Sequence, residues 1–214
     1  FYLTEAEQTL IRTVSAAFHK AGKPVVVVLN IGGVIELASW RDQVDAILLA
    51  WQPGQEAGHA MADVLSGKVN PSGKLTDTFA LDLKDYPAAE NFPGVTLLGP
   101  DPAARGGIVI NDRAAEVEYR DDIRVGYRHF NTRGVEVAYP FGYGLSYTRF
   151  EYRDLKLTRE DAGFTASVIV TNTGRRAGKE VVQLYVSAPK DELEKPVSEL
   201  RAYGKTRLLQ PGQS

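Results

Sequence analysis

"AILLAWQPGQEAGHAMADVLSGKVNPSGKL", residues 46–75, sets a short apolar run against a loop punctuated by glycine and proline, and then against a segment rich in small residues. The run at 46–50 stops at Trp51. Ala57, Ala60, Met61, Val64 and Leu65 then recur at helical spacing over roughly residues 56–66, which predicts a strand followed by a helix with that stripe buried. Upstream, "VVVVLN" at 25–30 is a continuous β-branched run of the kind buried on both faces in a parallel sheet. Ahead of it, Thr4 and Glu7 form a capping box, Leu10, Ile11, Val14, Ala17 and Phe18 repeat at helical spacing, and Gly22 ends the helix. Helix, strand, strand, helix, strand in this rhythm indicates α/β class: an open, mostly parallel sheet with helices packed on it.

Downstream the texture changes. From residue 80 to about 117 periodicity disappears and prolines crowd in at Pro87, Pro93, Pro100 and Pro102, the mark of a long connecting segment. The aromatic stretch "YPFGYGLSYTRFEY" at 139–152 marks a boundary, so the division expected is 1–145 and 146–214. Beyond it "FTASVIVTN" and "KEVVQLYVS" alternate like half-buried strands, and "TGRRAG" between them reads as a turn. Short strands joined by turns suggest an immunoglobulin or fibronectin III-like β-sandwich. Such a sandwich needs about seven strands in about 100 residues. Only four or five precede the turn signal "LLQPGQS", so the sandwich is incomplete and another strand is expected after it.

Composition narrows the chemistry. With 43% hydrophobic and 24% charged residues the chain is that of an ordinary globular protein, and 214 residues suffice for one good core or two modest ones. A net charge of -2 with no block of like charges gives no footprint for nucleic acid or a membrane surface, so neither is expected as a partner. Without cysteine there are no disulfides, thiolate metal sites or Cys nucleophile, and the compartment stays open. Phe1 is not a natural initiator, so a preceding segment is expected. The Asn70-Pro71-Ser72 triplet is barred from glycosylation by its proline.

Several motifs fail on their own terms. "GKVNPSGKL" has one residue too many between its glycines for a phosphate loop, lacks Ser or Thr after Lys74, and follows a helix instead of opening one. "GYGLSY" lacks the third glycine of a dinucleotide fingerprint. His19, His59 and His129 lie on different elements without metal-ligand spacing, and no nucleophile elbow is present. Asp121 and Asp122, read as adjacent strand residues, point to opposite faces and make a poor acid/base pair. The Trp51 loop is better placed, because ligands of open parallel sheets bind beyond the carboxyl ends of the strands. Trp51 offers an apolar face, Gln55 and Glu56 offer polar groups near a helix start, and Asn30 follows the neighbouring strand. These four are the candidate cleft-flanking residues. The plainer roles stay open: Trp51 as packing and Glu56 as a complement to the helix dipole.

Taken together, "FYLTEAE", "KPVVVVLNIGGVIEL", "ILLAWQPGQEAGHAMADVLSGKVNPSGKLTDTF", "DYPAAENFPG", "VEYRDDIRVGYRHF", "YPFGYGLSYTRFEY", "NTGRRAGKEVVQLYVSAPK" and "KPVSELRAYGKTRLLQPGQS" resemble the C-terminal part of a glycoside hydrolase family 3 β-glucosidase. The resemblance runs through nearly the whole chain in family order. It implies a TIM-like barrel upstream carrying an Asp nucleophile, a second α/β domain carrying a Glu acid/base, and a closing fibronectin type III-like domain. Residues 1–145 would then be the rear of the second domain and 146–214 the start of the third. The family's acid/base Glu sits in a Ser-Gly-Glu-Gly type motif shortly before a "FYLTEAE"-like helix, and nothing here matches it or the nucleophile's motif. Glu5, Glu7 and Glu56 do not stand in the matching position, so no catalytic residue is assigned. The implied partners are a β-glucoside or oligosaccharide, the upstream barrel and acid/base segment, and a second copy in a homo-oligomer. No metal or other cofactor is implied. A β-xylosidase or other exo-glycosidase of the family, and a non-catalytic carbohydrate-binding or assembly module, are the alternatives.

Overall fold

The computed structural model describes residues 1–92, 94–96, 115–161, 163–189 and 193–214. Helix α1, Glu5–Lys20, begins where Thr4 accepts the Glu7 amide and Glu7 answers with its carboxylate, the expected capping box. It ends at Gly22, whose positive φ of 64° turns the chain toward the sheet. Strand β1, Val26–Leu29, pairs in parallel with β2, Ala46–Leu49, and joins it through a loop and a short 3-10 turn at Arg41–Gln43. Helix α2, Ala57–Leu65, follows β2.

The two-residue strand β3, Phe79–Ala80, pairs antiparallel with a later one. Between them lie 3-10 turns at Leu83–Asp85 and Pro87–Glu90, the β4 and β5 pair at Val95–Thr96 and Ala115–Glu116, and helix α3, Tyr127–Arg133. Pro93, Pro100 and Pro102 fall outside the described residues. Strand β6, Val137–Tyr139, closes the excursion against β3.

The core gathers where these pieces meet. Leu29, Leu37, Trp40, Phe79 and Ala138 are buried, with Leu3, Ile11, Ile47, Trp51 and Tyr139 packed around them. Two expectations of burial are met only in part within these 214 residues. In the valine run Val26 and Val28 are 43% and 39% exposed, because among the described residues only β2 pairs with β1 and nothing covers this face. The α2 stripe is likewise only half covered, with Leu65 48% exposed and no residue of the helix fully buried.

The remainder forms two antiparallel hairpins. Strand β7, Phe150–Glu160, pairs with β8, Gly163–Asn172, and β9, Val181–Val186, pairs with β10, Glu199–Lys205. "TGRRAG" therefore carries the chain from one hairpin to the other and does not close a hairpin of its own. Asn172, fully buried, ties this link: its Nδ2 donates to Arg176 O and Leu209 O, and its Oδ1 accepts from Thr148 Oγ1.

The hairpins are joined to the α/β part mainly by polar contacts. Asn70 Nδ2 donates to Ala177 O, while its Oδ1 accepts from Ser146 Oγ and the Tyr147 amide. Lys74 pairs with Glu180 at 3.0 Å, Arg128 pairs with Glu199 at 3.0 Å, and the Tyr127 hydroxyl accepts the Leu200 amide. The glycines of "GYGLSY" belong to this seam. A Cβ on Gly144 would overlap the Gly73 carbonyl oxygen, and Gly142 holds a φ of 80° with Gln183 against it. A close backbone approach at Gly144 and a positive φ at Gly142 explain the two glycines without any nucleotide.

Candidate functional site

Because β1 and β2 run in parallel and in register, Leu29 opposite Leu49, the loops that follow them leave the same edge of the sheet. The Ala50 amide still donates to Leu29 O, and the chains then diverge. Asn30 is exposed at the start of the first loop. In the second, Trp51 adopts a φ of 54°, a left-handed conformation unusual for a bulky residue. Such a backbone costs about 1–3 kcal/mol and persists only where its surroundings enforce it. Here the half-buried indole lies tilted against fully buried Phe79, ring centroids 6.1 Å apart, so the core holds one end of the strained residue.

Gln52 was not among the candidates, and the structure brings it into the site. Its side chain lies over Gly32, with Nε2 3.0 Å from where a Cβ would stand. Gly32 is thus the space into which the second loop folds. The only sequence signal was a glycine pair after one strand and an amide after the other.

Gln55 and Glu56 follow along the loop, both exposed. Glu56 occupies the position before α2 without capping it through its side chain; its carboxylate instead meets His59 Nδ1 at 2.6 Å in an exposed i,i+3 pair. The structure thus sets Asn30, Trp51 and Gln52 at one edge and Gln55 with Glu56 at the adjoining helix start. Among the described residues no side-chain hydrogen bond links Asn30, Gln55 and Glu56 to one another.

The other titratable groups singled out serve the scaffold. His19 Nε2 meets Asp45 at 2.8 Å, and the Asp45 carboxyl is held below the usual range first by the Val25 amide and then by that imidazole. His129 packs edge-on against Phe130. Asp121 and Asp122 are not strand residues. They sit in a turn in which the Arg124 amide donates to Asp121 O and Asp122 has a φ of 52°, a conformation that Asp tolerates better than most residues. Among the described residues no group of three or more His, Asp or Glu could hold a metal ion, and no helix is long and apolar enough to cross a membrane.

A parallel α/β unit joined to paired β-hairpins defines an α/β domain followed by a fibronectin-type β-domain. Residues 1–147 match the glycosyl hydrolase family 3 C-terminal domain, and residues 180–214 match the fibronectin type III-like domain. The chain belongs to glycosyl hydrolase family 3. It is 44% identical to β-glucosidase A of Butyrivibrio fibrisolvens, covering 100% of this chain and 26% of that protein. Identity to the thermostable β-glucosidase B of Acetivibrio thermocellus is 41%, over 94% of this chain and 24% of that one. Among solved structures, β-glucosidase 3B of Thermotoga neapolitana in complex with α-D-glucose superposes with a TM-score of 0.88 at 51% identity, covering 99% of this chain and 28% of that one. The chain thus spans about a quarter of the length of the relatives it matches.

Proposed function

We propose that this chain is part of a retaining, exo-acting β-glucosidase that removes terminal non-reducing β-D-glucosyl residues by double displacement. The observation that carries this reading is the likeness to β-glucosidases over the whole chain, in sequence and in backbone alike. The names of these relatives favour a glucosidase over a xylosidase. In this reading residues 1–145 are the rear of the second α/β domain and 146–214 the start of the fibronectin type III-like domain. Retention requires two carboxyl groups about 5–5.5 Å apart, one forming a glycosyl-enzyme and the other alternating between acid and base. We assign both to upstream parts of the protein, the Asp nucleophile on the barrel and the Glu acid/base ahead of Phe1. Asn30, Trp51, Gln55 and Glu56 then flank the sugar cleft, since they lie on or beside the loops beyond the carboxyl ends of β1 and β2.

The test is hydrolysis of an aryl β-glucoside by the intact protein, followed by NMR of the first product. Release of the β-anomer, with the matching xyloside slower, is the expected result; the α-anomer refutes retention, and a faster xyloside refutes the glucosidase reading. No turnover by the intact protein would favour the non-catalytic module. The isolated 214-residue chain should leave the substrate intact. Trp51→Ala should lower kcat/KM roughly tenfold, equivalent to about 1.4 kcal/mol of lost transition-state contact. Unchanged kinetics in the folded variant would leave Trp51 with packing alone.

A further inference from the structure

Where the hairpins meet the α/β part, the polar joints leave a cleft of about 580 Å³, lined by Lys74, Asn131, Phe141, Tyr152, Glu180 and Ser198 among others. Its volume falls within the range of small-molecule sites, which favour boundaries between domains. Lys74 and Glu180 form its floor, with side chains only 18% and 11% exposed. Lys74 Nζ donates to Gly144 O and to Glu180 Oε1, which also accepts the Val181 amide. Glu180 Oε2 has no donor among the described residues and keeps some accessible surface. An apolar pair of the same shape would hold the seam about as well, so stability alone does not account for an ion pair here.

The rest of the lining is uncharged. Tyr152 is half exposed, and its hydroxyl makes no hydrogen bond among the described residues. Burial, and secondarily the Glu180 charge, push the phenol up to about 12, so it stays protonated and able to donate. The Ser198 hydroxyl and the Asn131 amide likewise make no side-chain hydrogen bond among the described residues, and each can both donate and accept. Phe141, stacked on Tyr127 at 4.7 Å, supplies a fixed apolar wall. The lysine and glutamate charges cancel, so the cleft selects neither anions nor cations.

An open carboxylate oxygen, neutral hydroxyl and amide groups and flat aromatic walls are together suited to adjacent hydroxyls on a six-membered ring. We infer that the seam cleft is a second, non-catalytic binding site for a neutral pyranose, whose vicinal hydroxyls donate to Glu180 Oε2 and share hydrogen bonds with Tyr152, Asn131 and Ser198. The site uses none of the residues assigned to the catalytic cleft. A sugar bound here contacts both parts of the chain and so stabilises their docking.

Isothermal titration of the intact protein with D-glucose tests this, with acyclic sorbitol as the control polyol. The expected result is two sets of sites for glucose. Tyr152→Phe and Ser198→Ala, which preserve the packing, should each weaken the weaker set about tenfold and leave the other unchanged. Sorbitol should not occupy the weaker set. A single set in the wild type that neither variant weakens, a weaker set indifferent to both variants, or equal binding of sorbitol would overturn the inference. A single set that both variants weaken counts against the glucosidase reading and leaves this one standing.

Discussion

Asn70 is the residue whose removal should most cleanly separate the two parts of this chain. One short side chain makes a hydrogen bond of 2.9 Å to Ala177 O, accepts one of 2.9 Å from Ser146 Oγ and accepts another of 2.8 Å from the Tyr147 amide. In Asn70→Ala three partners lose their mate, at about 1 kcal/mol each. Asn70 is only half buried, so water restores part of the loss, and about 2 kcal/mol is the expected net cost. For a protein of this size that lowers the melting temperature by about 4–8 °C. Because two joined parts need not melt as one, amide exchange is the sharper assay: the Tyr147 amide, whose acceptor has gone, should exchange faster than its neighbours. Ser146→Ala, removing one of these three bonds together with the long bond that Ser146 Oγ accepts from the Thr148 amide, should cost about 1 kcal/mol. A loss below about 0.5 kcal/mol in Asn70→Ala, with Tyr147 exchange unchanged, would show that the seam is held by its apolar contacts and that the Asn70 fork is incidental.

Glu180→Leu should cost about 3 kcal/mol, because it strands the buried Lys74 ammonium, whereas the double variant Lys74→Met/Glu180→Leu should recover most of that loss in urea unfolding. Strictly additive effects would mean that the two charges do not interact. Residues 150–214 expressed alone should aggregate or remain disordered: the two hairpins leave between them an open groove of about 1200 Å³, and Leu155 and Phe164 are 65% and 73% exposed. Sharp, dispersed amide resonances from that fragment would show that two hairpins suffice.

Local rules made much of this molecule legible in advance. The Thr4 and Glu7 capping box, the Gly22 stop, the β-branched run of β1 and the helical period of α2 each depend on residues within a few positions of one another, where propensity and capping are expressed directly in sequence. The change to alternating strands after Phe150 was readable for the same reason. Two-sided burial of the valine run is met only in part within this sequence, because burial depends on what lies above the strand and period reports only what the strand itself offers. Asp121 and Asp122 were misplaced because a positive φ at Asp122 is a property of the turn and leaves no repeating pattern.

What only tertiary structure decided is where distant pieces meet. "TGRRAG" has the composition of a hairpin turn, yet it spans two hairpins: β8 pairs back with β7 and β9 pairs onward with β10, so the link joins two strands that are not partners. Gln52 entered the candidate site through the absence of a side chain at Gly32, twenty residues earlier in the chain. Lys74, taken from sequence as a failed phosphate-loop lysine, became half of a buried ion pair with Glu180 and the floor of a cleft. Sequence records which groups a segment carries and how they repeat along it. Which groups face one another is settled by packing, since a long-range contact forms only when the whole fold offsets the entropy of bringing its two ends together.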